Sequence, residues 1–265
     1  MGRAFPKHTV DDYTDVTEVP GLGATREQMS MLYTRYRTAQ AFCEGKDVLE
    51  VACGAGLGLG YLARKARRIV GGDYTERLLR LAQWHYRGRI PLVRLDAHAL
   101  PFRDRSFDVV ILYEAIYYLT EPDRFLAECR RVLRVPGVLL ICTVNKEWSD
   151  FNPSPFSVRY FSSRELIELL QRQGFAVELY GAFPALKNSA RDRVLSLLKR
   201  AAVALHLIQR TMKGRAVLKR LFFGRLTPIP PEVTEGMADL EPLVSITADT
   251  VNRSYKVLYA VARIR

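Results

Sequence analysis

The stretch at residues 48–60, VLEVACGAGLGLG, limits the possible folds of this chain more than any other. Val48, Leu49 and Val51 form a short apolar run of the kind that is buried on both faces of a parallel sheet. Glu50 stands near its carboxyl end, and Gly54, Gly56, Gly58 and Gly60 alternate after it. A helical pattern then runs through Tyr61, Leu62, Ala63 and Arg67. Strand, glycine turn and helix in that order let backbone approach a ligand at the carboxyl edge of a sheet. The G-x-G-x-x-G spacing of dinucleotide sites is not met. Its third glycine would fall at Leu59 counted from Gly54, or at Tyr61 counted from Gly56.

The rest of the chain supplies strands and helices in alternation. Ile69 and Val70 open a second strand that ends at Asp73, about twenty residues past the glycine turn, where a carboxylate suits a ribose diol. Thr75 then caps a helix whose apolar face is Leu78, Leu79, Ala82 and Tyr86. A third strand at 90–95 ends in DAHALPF at 96–102. SFDVVILYEAIYYL at 106–119 reads as a fourth strand and a turn, EPDRFLAECRRVLR as a helix, and VPGVLLICTV at 135–144 as a fifth strand. A helix at 161–174, opened by Ser162 or Ser163, a strand at 175–180 and a last strand at 255–264 complete the pattern. Ahead of all this, residues 26–43 read as a helix through Met29, Leu32, Tyr36 and Ala39.

Four segments carry a resemblance. E-V-A-C-G-A-G at 50–56, D-A-x-x-L-P-F at 96–102, F-D-V-V at 107–110 and R-V-L-R-x-P-G at 131–137 together resemble the class I S-adenosylmethionine-dependent methyltransferases. The type is the small-molecule one met in ubiquinone and menaquinone biosynthesis. The resemblance implies an α/β fold, a doubly wound, seven-stranded Rossmann-like sheet whose last strand inserts antiparallel. It implies S-adenosyl-L-methionine as cofactor and S-adenosyl-L-homocysteine as product. The glycine turn would bind it through Glu50, Ala52, Cys53, Gly54 and Gly56. Asp73 would take the ribose, with Tyr74 against the adenine ring. Asp96 and the Ala97 amide would take the adenine edge, and Tyr113 would sit beside the cofactor at the end of the fourth strand. Tyr33 and Arg37, four apart on one face of the first helix, would close over it, or would be surface residues of a packed helix.

Departures from the family pattern matter for the chemistry. Many relatives carry a His after the fourth strand, where this chain has Tyr117 and Tyr118. Glu114, Tyr117 and Tyr118 are therefore the candidates for a catalytic base or orienting group, and the alternative is that they shape the pocket. His98 occupies a variable position and reads as structural. Val135 and the single Gly137 depart from the pattern away from the cofactor. Y-E-A-I replaces the N-P-P-Y-like box of nucleic-acid adenine methyltransferases, which makes nucleic acid an unlikely partner. No cysteine or histidine spacing points to a metal.

The formal charge is +12, and residues 187–225 alone carry +10: eleven Lys or Arg against Asp192. Val194, Leu198, Ala201, Leu205, Ile208 and Met212 form one apolar stripe there. The expected organisation is a mobile lead-in and lid helix at 1–43, a cofactor-binding core at 44–181, a basic helical insertion at 182–254 and a final core strand at 255–265. The insertion reads as a cap helix, as an element for an anionic membrane surface, or as a polyanion clamp. Four dispersed cysteines and the lack of a leader or spanning segment suit the cytoplasm, with a peripheral place at the inner membrane face. Trp148, Phe151, Phe156 and Tyr160 in the loop at 145–161 could line a substrate pocket. The expected activity is methyl transfer to a hydroxyl or amine of a small, lipid-linked or glycan-linked metabolite. The alternatives are an RNA or protein methyltransferase and a non-catalytic cofactor-binding scaffold.

Overall fold

In the computed structural model, residues 12–185, 226–247 and 251–264 are described. In chain order the elements are β1 (Gly23–Ala24), α1 (Arg26–Gln40), β2 (Asp47–Val51), α2 (Leu59–Ala63), β3 (Arg68–Asp73), α3 (Glu76–Tyr86), β4 (Leu92–Arg94) and β5 (Phe107–Tyr113). There follow α4 (Pro122–Val132), β6 (Leu133–Val144), α5 (Ser163–Arg172), β7 (Phe175–Pro184), β8 (Thr227–Pro228), β9 (Val244–Ser245) and β10 (Tyr255–Ile264). Among the described residues the main sheet has eight strands in the order β4-β3-β2-β5-β6-β10-β7-β9. β4, β3, β2, β5 and β6 run parallel, and β10 lies antiparallel between β6 and β7, with Val257 opposite Val144 and Tyr255 opposite Pro184.

Strand composition explains this layout. All five residues of β2 are buried, because a parallel strand at the centre of a sheet is covered on both faces. One face is packed by α1, α2 and α3, the other by α4 and α5. On α4 the buried residues are Phe125, Leu126, Cys129 and Val132, one stripe at helical spacing. Capping boxes start two helices: Thr25 with Gln28 for α1, and Ser162 with Glu165 for α5. The chain leaves β2 for β3 and β4 on one side and returns to β5 on the other. The carboxyl ends of β2 and β5 therefore face the crevice where such sheets hold ligands.

The structure departs from expectation at the edges. The third strand is shorter than 90–95, the strand at 175–180 continues to Pro184, and β9 adds an eighth strand. From residue 12 the lead-in is docked rather than mobile. Gly21 N donates to Ile229 O (2.8 Å), Ile229 N donates to Leu22 O (2.9 Å), and β1 pairs with β8. Residues 226–247, expected to belong to a helical insertion, form an extended strap across α1 and α2. Ser30 Oγ donates to Asp239 O (2.6 Å), Tyr33 Oη to Glu235 (2.7 Å), and Val233 N to Leu57 O (2.7 Å). The basic stretch at 187–225, with its apolar stripe, lies outside the described residues. Among the described residues, no helix is long and apolar enough to cross a membrane.

Two of the four alternating glycines serve packing. A Cβ on Gly58 would fall inside the Tyr36 ring, and one on Gly60 would strike the Glu232 carboxylate. Gly58→Ala should therefore cost about 1–3 kcal/mol, the range for overpacking. In a Tyr36→Leu background that cost should shrink by more than half, since the clashing ring is gone. Urea unfolding of the four proteins measures it, and an equal cost in both backgrounds would show that the ring is not the obstacle.

Candidate active site

The site is built from three turns at the carboxyl edge of β2, β3 and β4, with the end of β5 beside them. After β2 the backbone turns back on itself: Gly56 N donates to Cys53 O (2.9 Å) and Cys53 N to Gly72 O (3.0 Å). Gly54 and Gly56 have φ of 57° and 76°, a region that side chains disfavour. The buried Tyr86 hydroxyl pins the turn from below, donating to Gly56 O (2.7 Å) and accepting from Gly60 N (2.9 Å). Ala52, with φ of 57°, takes a left-handed conformation without being glycine, as residues at functional turns often do. Cys53 is buried, and burial pushes its thiol well up, which favours the neutral thiol.

Glu50 is buried at the end of β2. Its Oε1 accepts from the Tyr36 hydroxyl (2.7 Å), while its buried Oε2 has no hydrogen-bond partner among the described residues. Burial pushes this carboxyl up to about 8, although Tyr36 and Arg35 pull the other way. Arg35 is also buried. It pairs with Glu18, its charge is felt by Glu114, and its Nε has no partner among the described residues. Among the described residues, an orphaned carboxylate oxygen thus lies near the end of β2 and an orphaned guanidinium nitrogen on the buried Arg35 of α1. Buried polar atoms of this kind need a partner, and a ligand with its own cation and anion would provide one.

Asp73 ends β3 and is likewise buried. Its Oδ2 accepts from Gly54 N (2.8 Å) and its Oδ1 from Thr75 N (2.8 Å), so it ties the second turn to the first. Burial raises its carboxyl to about 6, partly offset by those amides. Half-buried Tyr74 follows it. Asp96 closes the third turn, with half-buried Ala97 next to it. Asp96 Oδ1 accepts from the His98 amide (2.9 Å) and meets His98 Nδ1 at 2.7 Å. His98 Nε2 accepts from Glu121 N (3.3 Å), so the proton of this buried ring sits on Nδ1. His98 is a structural bridge, as its variable position suggested. Helix α4 holds the same turn: Leu100 N donates to Glu128, and Arg131 donates to Leu100 O and Phe102 O (2.9 and 2.7 Å).

Beyond β5, Glu114 is held at φ of 52° by its N–H on Cys142 O (2.8 Å). Its carboxylate accepts from the Tyr117 hydroxyl (3.1 Å), and burial raises it above the ordinary carboxyl range. Tyr117 stacks on Tyr160 at 4.5 Å, and Tyr118 meets Tyr13 at 5.1 Å and Ser154 Oγ at 2.7 Å. The loop after β6 therefore closes on Tyr117 and Tyr118, with Phe151 against Tyr160 and Phe156 against Tyr13. Trp148 stands apart, under the Lys256 ammonium at 5.7 Å. Tyr113, buried, packs edge-on against Tyr36 at 6.0 Å.

The expectation for Tyr33 and Arg37 is corrected. The Tyr33 hydroxyl donates to Glu235 and accepts from Gly236 N (3.0 Å), and Arg37 pairs with Glu235 at 3.5 Å. Both anchor the strap, whose Glu235 also accepts from Tyr61 (2.5 Å). Helix α1 offers Arg35 and Tyr36 to the site instead. Arg35 carries a sequence signal, because a cation three residues past Leu32 and four before Ala39 falls on the apolar face of the helix. Tyr36 and Tyr86 give no such signal. Both read as core residues until their hydroxyls are placed.

Comparison with known proteins agrees with this geometry. Residues 49–141 match the family described as a methyltransferase domain. Over 169 residues the chain is 37% identical to a protein of Mycolicibacterium smegmatis named as a probable S-adenosylmethionine-dependent methyltransferase, across 60% of this chain and 63% of the relative. A phthiotriol/phenolphthiotriol dimycocerosates methyltransferase of Mycobacterium leprae is 38% identical over 171 residues, across 62% of this chain and 59% of that one. The chain thus spans less than two thirds of the length of these curated relatives. Among solved structures, a Thermotoga maritima protein described as a possible histamine N-methyltransferase shares the fold, with a TM-score of 0.57 at 17% identity over 90% of this chain and 91% of that one.

The buried carboxyls make stability depend on pH. The folded state holds the Glu50 proton more tightly than the unfolded chain, so stability falls as pH rises from the ordinary carboxyl value of 4.5 to about 8 and levels off above. Asp73 adds a fall that ends near pH 6. The melting temperature of the ligand-free protein should decline across this window, and Glu50→Gln should remove most of the decline between about 6 and 8. The same slope in the variant would place the coupled proton elsewhere.

Proposed function

Because the chain carries a class I S-adenosylmethionine-dependent methyltransferase domain, we propose that it transfers a methyl group to a hydroxyl or amine of a small, lipid-linked or glycan-linked metabolite. The observation that carries this reading is the convergence of the glycine turn, Asp73 and Asp96 at one sheet edge, where Glu50, with one carboxylate oxygen unpartnered among the described residues, ends the central strand. These residues fit the cofactor. Glu50 Oε2 and Arg35 Nε suit the ammonium and carboxylate of its amino-acid end. The bare backbone of Ala52, Cys53, Gly54 and Gly56 suits close approach, and Asp73 keeps acceptor capacity for a ribose diol beside its two amides. Asp96 and the Ala97 amide suit the adenine edge, and the Tyr74 and Tyr113 rings suit its face and flank. The cofactor supplies an electrophilic methyl on a sulfonium.

The chain's own residues then have three tasks. The turn at 145–161, with Tyr117, Tyr118 and Tyr160, orients the acceptor in line, the arrangement from which most of the acceleration comes. The same rings exclude water. Glu114, raised by burial and held by Tyr117, takes the proton of an acceptor hydroxyl at its carboxylate. The name of the Mycobacterium leprae relative favours a lipid-borne acceptor, and the +10 charge of residues 187–225 suits the anionic membrane surface where such an acceptor would be met.

Two measurements test the reading. Asp73→Ala should weaken S-adenosylmethionine binding by about tenfold or more. Glu114→Gln should lower turnover about a hundredfold while changing that affinity less than about twofold. Equal losses in both quantities for Glu114→Gln would remove it as the base. Methyl-labelled S-adenosylmethionine, incubated with the protein and an extract of its source cell, should put label into the organic phase. Label confined to the aqueous or nucleic-acid fraction would overturn the lipid-borne acceptor.

A further inference from the structure

Helix α3 buries Leu78, Leu79, Ala82 and Tyr86, and its period places Arg77, Arg80, Leu81, Trp84 and Arg87 on the opposite side. Trp84 is 74% exposed and Leu81, one turn before it, 40%. A large indole so far out of the core, with a leucine at its side, is not accounted for by packing within the described residues. Its surroundings are basic. Residues 76–94 contain arginines at 77, 80, 87, 89 and 94 against one acid, Glu76, a charge of +4. Outside 187–225 the chain as a whole carries only +2, so this face is positive against a near-neutral background. Of the neighbouring acids, Glu76 is engaged by Arg80 (2.5 Å) and Arg94 (3.3 Å), Glu232 by His85 (3.1 Å) and Arg64 (3.6 Å), and Asp12 feels the charge of Arg77.

We propose that this outward face of α3 docks on an anionic membrane surface, with the Trp84 and Leu81 side chains among the headgroups and the arginines on lipid phosphates. An indole with an apolar body and an N–H donor prefers the bilayer interface, and guanidinium groups pair with phosphate in a fixed fork. From Arg77 to Arg87 the face is about 15 Å long, at 1.5 Å per residue. Other occupants fit less well. Two apolar side chains fall far short of the roughly 800 Å² per partner that a stable protein interface buries. The chain's own segment at 187–225 is itself +10 and would be repelled by this basic face. α3 starts three residues past Asp73, so lying on a bilayer it brings the carboxyl edge of the sheet to the headgroups. This extends the membrane-surface part of the reading above to a defined face, and it does not depend on methyl transfer.

The chain has two tryptophans, so Trp148→Phe leaves Trp84 as the single reporter. With vesicles of phosphatidylcholine containing a third phosphatidylglycerol, Trp84 emission should shift to the blue and be quenched by brominated lipid, and pure phosphatidylcholine vesicles should do neither. In an otherwise unaltered chain, Trp84→Gln should lower partition onto the anionic vesicles by roughly tenfold. Arg77→Glu with Arg87→Glu should lower it further, while S-adenosylmethionine affinity, which reports the cofactor site separately, stays as in the parent. Anionic vesicles bound equally by Trp84→Gln, with Trp84 emission unchanged, would overturn the proposal and leave docking to residues 187–225. Blue emission without lipid would also overturn it. A dependence of that emission on protein concentration would reveal a second copy on the face, and independence would reveal the chain's own cover.

Discussion

One buried tyrosine joins the parts of the site. The Tyr36 ring lies on the bare backbone of Gly58, its hydroxyl donates to Glu50, and its edge meets Tyr113 at the end of β5. Through these three contacts α1 is registered against the glycine turn and against both central strands. The turn cannot carry a side chain at residue 58 because the ring is there, and the ring is there because its hydroxyl satisfies one oxygen of a buried carboxylate. A carboxylate in this position without that donor would face the full desolvation penalty.

The same burial makes the site electrostatically poised. Glu50, Asp73 and Glu114 all lie at the carboxyl edge, and burial raises all three. Arg35 is the buried cation that answers them, with Glu18 from the docked lead-in as its partner. A cluster with several acids, one guanidinium and two orphaned atoms is poorly satisfied within the described residues. S-adenosylmethionine, the cofactor proposed for this edge, brings an ammonium and a carboxylate and is chemically suited to complete it. Stability given up at such an edge is regained in two apolar layers, one under α1, α2 and α3 and the other under α4 and α5.

Several elements were legible before any coordinates. β2 shows as the apolar run Val48, Leu49 and Val51 around Glu50, α4 as the helical segment EPDRFLAECRRVLR, and β10 as a last strand at 255–264 whose bounds match the structure. Each is a local pattern with one period, so the chain states it directly. The starts of α1 and α5 are equally local, since a capping box lies within four residues. The strap at 226–247 was not legible. Its backbone bonds go to Leu57, Tyr33 and Thr34, about two hundred residues away for the last two, and nothing in its own composition names those partners.

Tyr33, Arg37, Tyr36 and Arg35 show where local reading ends. All four lie within five residues of one helix, and sequence spacing places two of them toward a ligand. Which two depends on what packs against each face: Glu235 draws Tyr33 and Arg37 outward to the strap, while Glu50 and Glu18 draw Tyr36 and Arg35 inward. By itself the sequence determined the strand and helix order, the glycine turn and the acids at the strand ends, because periodicity and turn chemistry act between near neighbours. Only the tertiary structure decided which side chains complete the site, because a hydrogen bond between groups remote in sequence is chosen by the packing that brings them together.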